Sequence, residues 1–245
     1  MILKKSIYYY PIFSNKTQMN KKIIIALLLI ATKTFSQEMK TDWANISKYS
    51  KENQTLKLEK TTENRIVFMG NSITEGWKIS DPDFFSNKNY INRGISGQTS
   101  SHMLVRFRPD IIALKPKLVV ILAGINDIAQ NNGPIALEDI FGNIISMVEL
   151  AKQNKIRVIL SSVLQAYDFA WRKGLEPAEK IIKLNSMIKN YCEENQIVYV
   201  DYFSAMVDQR SGLDEKYTQD GVHPTLAGYK IMEPLLEKAI KEALK

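Results

Sequence analysis

Five short apolar runs, alternating with stretches of helical spacing, leave this chain few folds to choose from. The runs are Ile66-Val67-Phe68-Met69, Tyr90-Ile91, Leu118-Val119-Val120-Ile121-Leu122, Val158-Ile159-Leu160 and Ile197-Val198-Tyr199-Val200. Unbroken apolar runs of this length suit strands covered on both faces. Between them, Ile140, Ile144, Met147, Val148 and Ala151 recur at spacings of three and four, as do Ile181, Leu184, Ile188, Tyr191 and Cys192. Near the C-terminus, Ile231, Leu235, Ala239 and Ala243 form a further stripe beside Leu236. Helical crossovers between strands imply a parallel sheet, and such sheets carry helices on both faces. The expectation is one α/β domain over residues 65–245, with no repeat or linker inside it. Functional groups of such sheets gather beyond the carboxyl ends of the strands.

The N-terminal part reads differently. Lys21 and Lys22 precede a nine-residue apolar run at residues 23–31, and Thr34-Phe35-Ser36 offers small residues around a cleavage point. That order is a secretory signal over residues 1–36, so the domain is expected to be exported to the periplasm or beyond. Tyr8, Tyr9 and Tyr10 sit awkwardly ahead of such a signal, which makes Met19 an alternative start. An N-terminal anchor or amphipathic arm is the other reading. The run is shorter than the ~20 residues of a membrane span, so no stable membrane insertion is expected after cleavage. Residues 37–64 form a polar extension in which Trp43 and Ile46 are the candidate anchors of a short helix.

The leader also explains the charge. Six of the 33 basic residues lie in residues 1–36, which hold no acid; the remaining 27 face 26 acidic residues, a net of +1. A nearly neutral domain offers no basic field for nucleic acid. The single cysteine, Cys192, cannot form an internal disulfide and falls on a helical apolar stripe, which makes it a core residue.

Four clusters carry chemistry. Gly70-Asn71-Ser72-Ile73-Thr74-Glu75-Gly76-Trp77 follows the first run. It is neither a phosphate loop, since Glu75 takes the place of the second glycine, nor a GxSxG elbow, since Thr74 follows Ser72 at the glycine position. On local pattern a helix-capping serine is the commoner occupant of such a place. Asn92-Arg93-Gly94-Ile95-Ser96-Gly97-Gln98-Thr99 is a glycine-containing loop able to turn an N–H towards a developing oxyanion, or simply a strand-to-helix turn. In Gly124-Ile125-Asn126-Asp127 the asparagine amide offers the same donation, or else makes an Asx turn. In Asp220-Gly221-Val222-His223-Pro224 an acid and a histidine three apart can bond directly, and Pro224 keeps His223 extended. His102 lacks such a partner nearby and reads as a helix-surface residue. Taken together these supply a nucleophile, a base, an orienting acid and oxyanion donors for acyl transfer. Two histidines far apart and no HExxH suggest neither a metal nor any other cofactor.

The four blocks, in this order, resemble those of SGNH (GDSL-like) hydrolases over roughly residues 65–240. The resemblance implies a flavodoxin-like three-layer α/β/α sandwich with a parallel five-stranded sheet. It implies Ser72 as nucleophile, His223 as base and Asp220 as the acid that orients it. Oxyanion donors would be Ser72 and Gly97 through their N–H groups and Asn126 through its amide. One departure stands out: the family's usual Asp before the serine is Asn71 here. Export and family together suggest removal of acetyl or another short acyl group from a carbohydrate. A lysophospholipase or thioesterase acting on a lipid ester, and a non-catalytic glycan-binding protein, are the alternatives. Asn71, Trp77, Tyr167 and Trp171 are the candidate substrate contacts, the last two in an aromatic segment after the fourth strand.

Overall fold

The computed structural model describes residues 42–59, 64–86 and 89–245. The signal sequence and the choice between Met1 and Met19 lie outside the described residues. Residues Asp42–Lys245 gather into one unit.

Its centre is a five-stranded sheet of β1 (Ile66–Gly70), β2 (Tyr90–Gly94), β3 (Leu118–Ile121), β4 (Arg157–Ser161) and β5 (Val198–Val200). All pairings are parallel and the spatial order is β2-β1-β3-β4-β5. Every residue of β1 and β3 is buried, as their unbroken apolar runs require. This is the flavodoxin-like order. The chain winds one way from β1 to β2 and the other way from β3 onward, so a crevice opens between the carboxyl ends of β1 and β3. There Met69 and Ile121 are register partners.

The helices are α1 (Ser50–Leu58), α2 (Ser72–Ser80), α3 (Ser100–Asp110), α4 (Ile125–Ile128), α5 (Leu137–Gln153), α6 (Pro177–Glu194), α7 (Tyr202–Met206) and α8 (Leu226–Ala243). Helix α8 packs on α2 and α7, while α3, α5 and α6 pack successively on one another with α1 beside α3, giving two helical layers. The expected inner face of α5 is buried, as is that of α6 with Cys192 included, except for Tyr191, which is half-buried at its edge. Burial pushes the Cys192 thiol up to about 12, so it is a packed thiol and not a nucleophile.

Three expectations need correction. The inner face of α8 runs through Tyr229, Met232, Leu236, Ala239 and Ile240, with Ile231, Leu235 and Ala243 on its flank. A helix apolar on more than half its circumference has two overlapping stripes, and only packing chooses between them. In the extension, Trp43 is 49% and Ile46 37% exposed. Ala44, Tyr49 and Asn53 anchor it, each through a hydrogen bond, and Trp43 adds a stack on one face only. His102 is no bare surface residue either: it completes a capping box with Thr99 and stacks on Trp43 at 4.2 Å.

Candidate active site

Strand β1 ends at Gly70 and α2 begins two residues later. The N-cap is Asn71, whose Oδ1 accepts the N–H of Ile73 at 3.0 Å. The capping role that a serine would often serve is thus already filled. Ser72, the first helical residue, directs its hydroxyl outward to His223 Nε2 at 2.8 Å. The first turn of α2 presses on the end of β2. A β-carbon on Gly94 would lie 2.2 Å from the backbone nitrogen of Glu75, so only glycine permits the approach.

His223 stands in the loop between a 3₁₀ turn (Glu215–Tyr217) and α8. Asp220 Oδ2 lies 2.6 Å from His223 Nδ1, while Oδ1 accepts the N–H groups of Val222 (2.9 Å) and His223 (2.8 Å). Thr218 braces the loop by donating its hydroxyl to the His223 carbonyl at 2.8 Å. Burial alone would raise the Asp220 pKa, but the backbone N–H and ring of His223, together with Val222 N–H, hold it below the usual carboxylate range. An anionic acceptor at Nδ1 fixes the proton there, leaving Nε2 bare to accept from Ser72. The side chains of His223 and Asp220 are 39% and 42% exposed, so the pair lies open to a ligand.

The oxyanion candidates stand at the ends of adjacent strands. Gly97, at φ +78°, has nothing within 4 Å of where a β-carbon would be. Its turn leaves the N–H without an acceptor among the described residues. Asn126, buried at the second position of α4, donates one amide hydrogen to Gln98 O at 3.0 Å and keeps the other. Ser72, Gly97 and Asn126 thus follow the carboxyl ends of β1, β2 and β3, three neighbouring strands of the sheet.

The model of the GDSL-like lipase/acylhydrolase family matches residues 68–231. The chain belongs to that family. A solved structure from Bacteroides fragilis, described as a candidate acylhydrolase, is 50% identical and superposes with a TM-score of 0.82, covering 84% of this chain and all of that one. At 26% identity the chain is similar to the acetylxylan esterase of Geobacillus stearothermophilus over 151 residues, 58% of this chain and 67% of the esterase. It is equally similar to platelet-activating factor acetylhydrolase IB subunit alpha2 of Homo sapiens over 192 residues, 73% of this chain and 77% of that subunit. It also matches N-acylneuraminate cytidylyltransferases of Streptococcus agalactiae at 25% identity, and there 64% of this chain spans 36% of their length.

In this GDSL-like protein two of the expected substrate contacts are not at the surface. Asn71 is wholly buried and serves as the helix cap. Trp77 is buried in the core, stacked on Phe84 at 5.1 Å and on Tyr229 at 5.3 Å. The other two do face outward. Trp171 lies with its ring centroid 6.2 Å from that of His223 and donates Nε1–H to Asn131 Oδ1 at 3.4 Å. Tyr167, 60% exposed, edges a cleft of about 510 Å³ that runs past Lys173, Arg210 and Glu215 to Asp220.

Several supporting residues escaped sequence reasoning. Asp127 receives the N–H and hydroxyl of Ser100, fixing the start of α3, and burial raises its pKa to about 6. Arg106, fully buried, pairs with Asp110 at 2.9 Å and donates to Gly70 O, also at 2.9 Å, immediately behind the nucleophile turn. The i, i+4 spacing of Arg106 and Asp110 was a usable signal, since such pairs share a helix face.

Proposed function

We propose that this protein hydrolyses a carboxylic ester through an acyl-enzyme on Ser72. The observation that carries the reading is the unbroken chain from Asp220 Oδ2 through the His223 ring to Ser72 Oγ, at 2.6 and 2.8 Å. His223 Nε2 takes the hydroxyl proton as Ser72 Oγ bonds to the ester carbon, and Asp220 stabilises the resulting imidazolium. The carbonyl oxygen becomes an oxyanion and draws on the Ser72 and Gly97 N–H groups and the Asn126 amide. His223 returns the proton to the departing alcohol as the ester C–O bond breaks. Water then repeats the sequence on the acyl-enzyme, with His223 again as base, and releases the acid and free Ser72. Every proton in this scheme is moved by the protein's own side chains.

The substrate we propose is an acetyl or other short acyl ester of a carbohydrate. Three features support it: the likeness to an acetylxylan esterase, the exposed Trp171 and Tyr167 rings, and a cleft lined by charged groups. Aromatic faces beside hydrogen-bonding side chains suit a sugar ring better than an alkyl chain. The likeness to a platelet-activating factor acetylhydrolase favours a second carrier, a lipid ester with the same short acyl group. We also propose that the protein works after export. Among the described residues no helix is long and apolar enough to cross a membrane.

A series of p-nitrophenyl esters from acetyl to palmitoyl, followed by acetylated xylan and lysophospholipids, tests this reading. Turnover should be highest for acetyl and should extend to the glycan. A preference for palmitoyl, or for the lysophospholipid over the glycan, would reject the carbohydrate assignment. No turnover of any ester would leave a glycan-binding role for the same crevice.

A further inference from the structure

We infer that residues 42–58, which precede the family-matched segment 68–231, are a built-in buttress that sets the position of the Gly97 and Asn126 donors. The inference rests on the acyl-transfer reading above, and it assigns Tyr49 and Gln98 as positioning residues.

The segment grips the loop after β2 at several points. Tyr49 donates its hydroxyl to Gly94 O at 2.5 Å, where the edge strand ends. Gln98, directly after Gly97 and buried, donates Nε2–H to the backbone carbonyl of Ala44 at 2.6 Å. Its Oε1 accepts Arg106 Nε–H at 2.5 Å, and its backbone carbonyl accepts the Asn126 amide. One residue therefore ties the extension to both oxyanion candidates. From the outer side, Lys48 pairs with Glu75, and Glu75 in turn accepts the N–H and hydroxyl of Ser96 at 2.7 and 2.6 Å. Trp43 stacks on His102, whose Nδ1 lies 2.7 Å from Thr99 Oγ1.

The rest of the domain holds this loop at its two ends, through Ile95 N–H to Gly70 O at 3.1 Å and through Arg106 and Asn126 on Gln98, while Gly97 O has only the Asn131 amide at 3.4 Å among the described residues. Gly97 sits in open space at φ +78°, and Ser96 and Gly97 are exposed. A loop of that kind is mobile unless its carbonyls and side chains are tied down. Residues 42–58 add ties of their own, chiefly from polar groups that need correct distances: the Tyr49 hydroxyl, the Ala44 carbonyl and the Lys48 ammonium. Losing one should shift a donor by a fraction of an ångström without unfolding the domain. Because the oxyanion forms only on the way to the transition state, the effect should appear in kcat and not in KM.

The test compares Tyr49→Phe, Gln98→Glu and, as a control on the same segment, Glu52→Gln. Tyr49→Phe keeps the ring over Arg93 and removes one donor. Gln98→Glu keeps the acceptor for Arg106 but sets a carboxylate oxygen against the Ala44 carbonyl. Among the described residues Glu52 pairs with Arg93, one position ahead of the loop, and makes no contact with residues 94–99 themselves. With p-nitrophenyl acetate, the first two variants should lose roughly 5- to 50-fold in kcat, less than the ~10²–10³-fold cost of deleting a donor outright. KM should stay within about twofold, and Glu52→Gln should match wild type. Amide hydrogen exchange should quicken at residues 94–99 in the two loop-facing variants and not in the control. Unchanged kcat in both, a rise in KM at constant kcat, or unaltered exchange at residues 94–99 would overturn the inference. If wild type turns over no ester, the acyl-transfer reading is what fails, and the exchange rates alone decide whether the segment holds the loop.

Discussion

Asp220→Asn separates the orienting role of this carboxylate from its structural one. Two of its ties, from the N–H groups of Val222 and His223, end on Oδ1. An asparagine carbonyl can accept both, so the loop and the fold should survive. Thr218 Oγ1 also reaches Oδ1, at 3.2 Å, but the tie from Oδ2 to His223 Nδ1 cannot be kept in the same sense. The asparagine NH₂ would donate where the carboxylate accepted, forcing Nδ1 bare and placing the proton on Nε2. The atom facing Ser72 would then be a donor, unable to take the hydroxyl proton. In a buried triad this substitution costs about 10⁴ in kcat. The side chains here are 39% and 42% exposed, and water can restore part of the lost orientation. We therefore expect a fall of about 10³, or ~4 kcal/mol in the barrier, with KM little changed. The assay is steady-state hydrolysis of p-nitrophenyl acetate near neutral pH, alongside thermal melts. Asp220 is ionised there. Its depressed native pKa means that its stabilising contribution is complete above the ordinary carboxylate value near 3.9 and is lost only as pH falls through the lower native value. A folded Asp220→Asn protein retaining more than a tenth of wild-type kcat would mean that the carboxylate does not set the tautomer of His223.

Three further outcomes follow from the same geometry. Asn126→Ala should lower kcat about 10²–10³-fold at nearly constant KM, as measured on the same ester; a KM effect alone would make Asn126 a substrate-binding group. Gly94→Ala should lower stability by about 2 kcal/mol or more in urea titrations, because its β-carbon meets the Glu75 backbone at 2.2 Å; a change under 0.5 kcal/mol, the scale of a neutral surface substitution, would show that the contact yields easily. Asp127, with its pKa raised to about 6, binds its proton more tightly in the native state, so its stabilising contribution is present below about pH 4 and is lost as pH rises through 6. Asp127→Asn should therefore flatten the stability–pH curve between pH 4 and 7 by roughly 2–3 kcal/mol, and an unaltered curve would remove Asp127 as its source.

The strands were legible because both their faces are apolar. The exception is β2, which continues from Tyr90-Ile91 through Asn92, Arg93 and Gly94. Asn92 and Arg93 are buried there because Thr74, Asn53 and Glu52 satisfy them, and no apolar pattern announces such a strand. Helix α3 hides its inner face in the same way, behind the Arg106–Asp110 pair. In the site, Ser72 and His223 could be read from residue type and order. Which neighbours reach the crevice could not. Trp77 lies five residues after Ser72, about 140° around the helix, and so turns into the core while Ser72 turns out. Asn71 precedes the helix and is consumed as its cap. Trp171 reaches His223 because its loop folds back to Asn131, a long-range contact that leaves no local trace.

In the proposed reaction Ser72 becomes acylated with His223 as its base. Incubation with a fluorophosphonate, followed by proteolysis and peptide mass spectrometry, tests it most directly. The reagent reacts with a serine only where a base removes its proton and an oxyanion site receives the charge. One phosphonylated residue, Ser72, is expected, in step with loss of esterase activity. Labelling should vanish in Ser72→Ala and slow by orders of magnitude in His223→Ala. Stoichiometric labelling at Ser96 or another hydroxyl, or full ester turnover in a protein whose Ser72 has been replaced by alanine, would contradict it.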